Sequence, residues 1–199
     1  MTSDIDELIH HHEEENYEKT VFGFWTYLMT DCVLFATFFA AYAVLHNMVY
    51  DGPTSQEIFS PPLVLAETFA LLISSFTCGL AGIASKKGKK RAVLTYLAMT
   101  FILGLSFVGM EIHEFTSLIK EGHGPDRSAF LSSFFTLVGT HGLHVSVGLV
   151  WMLVMMKQIM SRGFPLVIHK RLMCFRLFWH FLDVVWVFIF TLVYMLGVI

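Results

Sequence analysis

Beyond its first twenty residues the chain alternates long apolar runs with short polar breaks. Five runs cover residues 22–45, 63–84, 92–115, 129–156 and 173–198, each near the roughly 20 residues that cross a ~30 Å hydrocarbon core. The breaks are rich in residues that end helices: Asp51-Gly52-Pro53 and Pro61-Pro62, then Lys86-Lys87-Gly88, then Gly122-His123-Gly124-Pro125, then Gly163-Phe164-Pro165. Strands do not fit, because every run far exceeds a barrel strand and lacks alternation, and in lipid each segment must satisfy its own backbone groups. The pattern predicts an all-α integral membrane bundle of five transmembrane helices, forming one domain over residues 21–199. No break is long enough to hold a separate soluble domain. Residues 1–20 carry seven carboxylates, Asp4, Asp6, Glu7, Glu13, Glu14, Glu15 and Glu18, around His10, His11 and His12. They read as an acidic cytoplasmic tail with no apolar run to act as a cleaved signal.

Composition agrees: 55% of the residues are hydrophobic and 15% charged, against the ~25% charged that covers a soluble domain. With a net charge of −3 and 13 Lys plus Arg, nothing basic is left over to grip nucleic acid. Cys32, Cys78 and Cys174 lie inside apolar runs without metal-like spacing and read as packing residues. The basic residues do fix a direction. Five fall in the second break (Lys86, Lys87, Lys89, Lys90, Arg91) and four around the fourth (Lys157, Arg162, Lys170, Arg171). The first break has none and the third has two, Lys120 and Arg127. The positive-inside rule then predicts a cytoplasmic N-terminus and a periplasmic C-terminus.

Ionisable residues inside a span must be paired, wetted or close to an interface. At about 1.5 Å of rise per residue, Asp31, His141, His144 and Asp183 fall within roughly a turn of the midplane, and His180 about a turn nearer the cytoplasm. His141 and His144 share one helix face by their spacing of three, as do His180 and Asp183. These five residues form a predicted buried polar layer, with Asp183 expected to bond His141, His144 or His180. A second group, Glu67, Glu111 and Glu114 with His113, is placed near the outer ends of helices 2 and 3, within reach of interfacial water.

Three readings of the central layer stand side by side. A metal or haem site is suggested by His and carboxylates on facing helices, although a di-metal bundle uses Glu-x-x-His on two of them. A proton relay is suggested by intramembrane Asp and His. A structural role is suggested by interhelical hydrogen bonding, together with small pairs such as Ala36/Ala40 and Ser75/Gly79 that let helices approach.

Several motifs carry a resemblance. Thr-His-Gly-Leu-His-Val at 140–145, preceded by Ser-Phe-Phe at 133–135, and Trp-His-Phe-Leu-Asp-Val-Val-Trp at 179–186 resemble the two hallmark helices of subunit III of the haem–copper terminal oxidases. Residues 27–39 resemble that family's carboxylate-bearing helix, with Asp31 where the family commonly has a buried, carbodiimide-reactive Glu. Glu111-Ile-His-Glu114 resembles its Glu-x-x-Glu helix. Five helices in place of seven, Phe-Gly-Phe-Trp at 22–25 and Gly-Pro-Asp-Arg-Ser at 124–128 resemble the bacterial cytochrome o ubiquinol oxidase branch. The quinol assignment is carried by that likeness alone.

The resemblance implies a chain that is not an enzyme by itself. It would be a non-catalytic subunit of a proton-pumping oxidase in the bacterial inner membrane. Haems, copper and oxygen chemistry would lie in subunit I, its main contact, with the remaining subunits as further partners. The histidines become helix-to-helix bonding groups rather than metal ligands. The subunit would hold phospholipid in a cleft between helices 1–2 and helices 3–5 and support proton uptake. Lys157 matches a position where a basic residue meets lipid headgroups, and also fits a positive-inside anchor. The alternatives are subunit III of a cytochrome c oxidase and, from another class, a small proton-coupled transporter.

Overall fold

The computed structural model describes the backbone of residues 2–49, 61–162 and 166–195, and the side chains of 19–49, 62–161 and 167–195. Five helices fill these stretches: α1 (Thr2–Leu45), α2 (Pro61–Lys86), α3 (Lys90–Lys120), α4 (Ala129–Arg162) and α5 (Leu166–Ile189). α5 runs on as a π-helical segment, Phe190–Met195. Among the described residues there is no strand, and five helices are long and apolar enough to cross a membrane. The helices overrun the predicted apolar runs. The second begins at Pro61, whose fixed φ and missing N–H suit a first helical position. The third reaches Lys120, five residues past the predicted end at 115. A helix stops where its backbone is capped, not where its side chains turn polar. The backbone of the acidic segment is helical from Thr2 onward, continuous with the first span. The side chains of 1–18, the breaks around Gly52 and Phe164, and the predicted helix end at 196–198 lie outside the described residues.

Two helix ends show how the chain reverses. After α2, Gly88 (φ +67) lets Lys89 N–H reach Ala84 O at 3.1 Å and its own N–H reach Ser85 O at 3.0 Å. After α3, Gly122 (φ +81) does the same, with His123 N–H on Leu118 O at 2.9 Å and its own on Ile119 O at 3.1 Å. Both are left-handed glycine caps that satisfy otherwise unpaired carbonyls. At the start of α4, the Ser128 hydroxyl accepts the Leu131 N–H at 3.1 Å, an N-cap that fixes where the helix begins.

Contacts divide the chain into two units, residues 1–34 and 35–199. The first holds α1 up to Leu34, with Phe24 and Tyr27 rings 5.8 Å apart, and the rest of α1 belongs to the second. In the second, α2 packs on α3, α3 on α4, α4 on α5, and α5 back on α2, so these four helices close into a ring. The buried positions of α3 are Val93, Leu97, Thr100, Gly104, Phe107, Glu111, Glu114 and Leu118. Their alternating steps of four and three give the 3.5-residue period of left-handed packing. Large apolar residues such as Phe69, Phe76, Ile102, Leu105 and Leu143 face outward instead. Lipid tails are as apolar as Leu, so burial selects for close fit and hydrogen bonding rather than hydrophobicity.

Close approach is achieved by glycines other than the small pairs read from the sequence. Ala36 and Ala40 are exposed, and no atom lies within 4 Å of where a Gly79 side chain would start. The tight positions are Gly104 and Gly148, where added carbons would lie 2.9 and 3.0 Å from the Trp179 ring. Gly142 lies under the Glu111 carboxyl and Gly82 under the Arg176 guanidinium. Spacing alone identifies a small pair; only the neighbouring helix decides whether anything needs the room.

Candidate functional site

The polar residues of the second unit fall into a seam between α2 and α5 and a cluster in the ring's interior. Along the seam, Ser85 Oγ lies 2.8 Å from His169 Nδ1, and Ser75 Oγ 2.7 Å from His180 Nδ1. The Trp179 indole donates to Ser74 Oγ at 3.1 Å and the Trp186 indole to Thr68 Oγ1 at 3.1 Å. Thr77 and Thr100 hydroxyls, 2.8 Å apart, tie α2 to α3. The four bonds between α2 and α5 link residues far apart in sequence, so together they fix the register of α5 against α2. The two tryptophans of the 179–186 motif occur at a spacing of seven, which returns them to the same face.

The predicted layer is divided by this arrangement. Asp183 Oδ2 lies 3.8 Å from His180 Nδ1 on its own helix, and His180 is in turn bonded to Ser75 of α2. Of the three partners expected for Asp183, the neighbour is thus His180 of its own helix, and through it this face of α5 turns to α2. His144 Nδ1 lies 2.8 Å from Thr140 O of its own helix, with the Phe35 ring 5.3 Å away. His141 is fully buried among Trp186 (5.3 Å), Phe107 (5.8 Å) and Phe35 (6.3 Å). Neither of its ring nitrogens has a hydrogen-bond partner among the described residues. Asp31 is buried too, but belongs to the first unit, a turn from Tyr27.

The carboxylates expected at an outer interface are interior. Glu67, Glu111 and Glu114 are 0%, 4% and 6% exposed, while His113 alone of that group is exposed. Because α3 continues past Glu111 and Glu114 and their positions fall on its buried face, these two point into the ring. Tyr194, in the π-helical segment, donates its hydroxyl to Glu114 Oε2 at 3.1 Å. Glu67 and Glu114 are the groups that act electrostatically on Glu111. No three His, Cys, Asp or Glu side chains among the described residues assemble the donor set of a metal centre.

At one end of the ring, Lys90 Nζ donates to Met160 O at 2.8 Å and Arg171 to Gln158 Oε1 at 2.9 Å. Lys157 is exposed at this same end of α4. Arg176 was not among the expected site residues; its Nε is buried without a partner among the described residues and its guanidinium lies over Gly82. Its signal was visible as the one arginine inside the fifth apolar run, but a position within a turn of the run's start reads as ordinary snorkelling. Nor were bonding roles expected of Ser74, Ser75 and Thr68, which no local pattern distinguishes from other small polar residues.

Comparison with known proteins places this architecture. The chain is 58% identical over 188 residues to the cytochrome bo(3) ubiquinol oxidase subunit 3 of Pseudomonas aeruginosa, covering 94% of this chain and 90% of that one. The protein of the same name from Pseudomonas putida is 55% identical, with 92% and 88% covered. A probable quinol oxidase subunit 3 of Staphylococcus saprophyticus is 44% identical, with 100% and 98% covered. Residues 5–198 match the family described as cytochrome c oxidase subunit III, and the chain belongs to that family.

Proposed function

We propose that this chain is the non-catalytic subunit III of a respiratory ubiquinol oxidase, whose electron transfer to oxygen takes place in a partner subunit. The observation that carries the reading is near-complete coverage, at 58% identity, of a ubiquinol oxidase subunit 3. The α2–α5 seam supports it, since Thr68, Ser74, Ser75 and Ser85 serve to bond one helix to the other. Haems and copper would lie in subunit I, the main contact, where the exposed apolar faces of the ring would pack. The cleft expected between helices 1–2 and helices 3–5 does not fit the described residues, because α2 packs on both α3 and α5; phospholipid with Lys157 on a headgroup would complete the interface, and the subunit would support proton uptake. The alternative electron donor, cytochrome c, is less well supported by these relatives' names.

Deleting the subunit tests the reading. The remaining complex is expected to keep both haem signals and copper, and to reduce oxygen at first. Loss of a haem spectrum from an otherwise assembled complex would refute a non-catalytic role.

The orientation proposed is cytoplasmic N-terminus, periplasmic C-terminus and bacterial inner membrane. The basic residues gathered at the Lys90 and Arg171 end of the ring support it. A reporter inserted at Gly88 is expected to read as cytoplasmic and one fused after Ile199 as periplasmic. The reverse at either site overturns the orientation or the helix count.

A further inference from the structure

Glu67, Glu111 and Glu114 come from two helices, α2 and α3, and meet inside the closed ring with Tyr194 of the π-helical segment. Four of their carboxyl oxygens, both of Glu67 and one each of Glu111 and Glu114, have no hydrogen-bond partner among the described residues. Among the described residues, the side-chain donor with a bond to them is the Tyr194 hydroxyl. A separate observation comes from α4. His141 is fully buried and both its ring nitrogens lack partners. Its ring enters the same interior, lying against Phe107, one turn before Glu111 on the buried face of α3, and against Trp186. Trp186 in turn bonds Thr68, beside Glu67, and lies 6.2 Å from Tyr194. Gly142, the neighbour of His141, is covered by the Glu111 carboxyl. The groups that face this space are thus Glu67 from α2, Glu111 and Glu114 from α3, His141 from α4 and Tyr194 from the end of α5.

Three ionised carboxylates in such a place would repel one another in a low-dielectric interior, with nothing but a phenol to offset them. An ionised carboxylate only accepts hydrogen bonds, whereas a protonated one donates as well, and a neutral imidazole supplies both a donor and an acceptor. Adding protons therefore converts a set of competing acceptors into groups able to bond one another. We propose that Glu67, Glu111, Glu114, Tyr194 and His141 form a proton-holding site in the centre of the α2–α5 ring, in which Glu67 and Glu111 are neutral carboxylic acids. The ligand is the proton itself, held on carboxyl oxygens and shared through hydrogen bonds within the cluster. The site is a property of the ring and does not depend on which electron donor the complex uses.

Infrared difference spectra of the purified native complex at neutral pH, wild type against Glu67→Gln and Glu111→Gln, test it. Each substitution is expected to remove a protonated-carboxyl C=O band that shifts down in D2O, with the ionised-carboxylate bands unchanged. Loss of ionised-carboxylate bands instead would overturn the proposal. Should either Gln variant fail to assemble, Glu67→Asp and Glu111→Asp retain an acid in a displaced position. A displaced protonated-carboxyl band then supports the site, and movement confined to ionised-carboxylate bands overturns it.

Discussion

Trp179→Ala is expected to cost the bundle about 3–5 kcal/mol, the range for emptying a buried aromatic site. The ring is among the largest fully buried side chains, and it lies where α3 and α4 are thinned to glycine, at Gly104 and Gly148. It also stacks near Phe175, with centroids 5.8 Å apart. Two glycines cannot collapse into the space the indole leaves, so the cavity persists and its lining loses dispersion contacts. The indole N–H bond to Ser74 is lost with it. In a membrane the unfolded reference is still in lipid, so packing supplies the cost rather than transfer from water. Trp179→Phe keeps part of the volume and is expected to lose less, on the order of 1–3 kcal/mol for an unpaired buried group. Phe76→Ala, at a position 67% exposed, is expected to be near neutral. The measurement is the temperature or detergent concentration at which the subunit leaves the complex. Equal tolerance of Trp179→Ala and Phe76→Ala would refute the packing account.

Gly142→Leu is expected to be the second severe change, because the first added carbon would occupy the place of the Glu111 carboxyl. Overpacking of this kind costs about 1–3 kcal/mol and sometimes more, and here it also drives an acid out of the cluster it belongs to. Gly109→Ala makes the contrast: no atom lies within 4 Å of its added carbon, so removing a flexible residue from a helix should be neutral or stabilising by about 0.5–1 kcal/mol. Gly139→Ala meets only ordinary contact with Phe115 at 3.5 Å. Combining Gly142→Leu with Glu111→Ser should recover part of the loss, a non-additivity expected of side chains in direct contact. Detergent dissociation of the four variants reads this directly. If Gly142→Leu behaved like Gly109→Ala, the placement of Glu111 over α4 would be wrong.

What the sequence disclosed follows from the same physics. The helix count was legible because an apolar run of about 20 residues has few uses other than crossing lipid. The glycine caps at Gly88 and Gly122 were legible as breakers. The interior was harder, since lipid removes the contrast between a buried Phe and an exposed one. Polar residues then mark the inside, and the depth of Asp183 and His141 could be counted. Which helix each one faces could not. Asp183 was given His141, His144 or His180 as partners; the one beside it is His180 of its own helix, whose ring bonds Ser75, 105 residues away. Glu111 and Glu114 were placed at a helix end because the apolar run ended there, although the helix did not. Their spacing from Phe107 and Gly104, in steps of three and four, was the available sign that they lie on the buried face.

The account's central claim is that this chain belongs to a quinol-oxidising assembly in which it does no redox chemistry. The most direct measurement is to isolate the native complex through an affinity tag on this chain and record oxygen consumption with a ubiquinol and with reduced cytochrome c. The account predicts co-purification with haem-bearing subunits and oxygen uptake driven by ubiquinol. Isolation of the chain alone with a haem or metal of its own, or uptake driven by cytochrome c and not by ubiquinol, would contradict it.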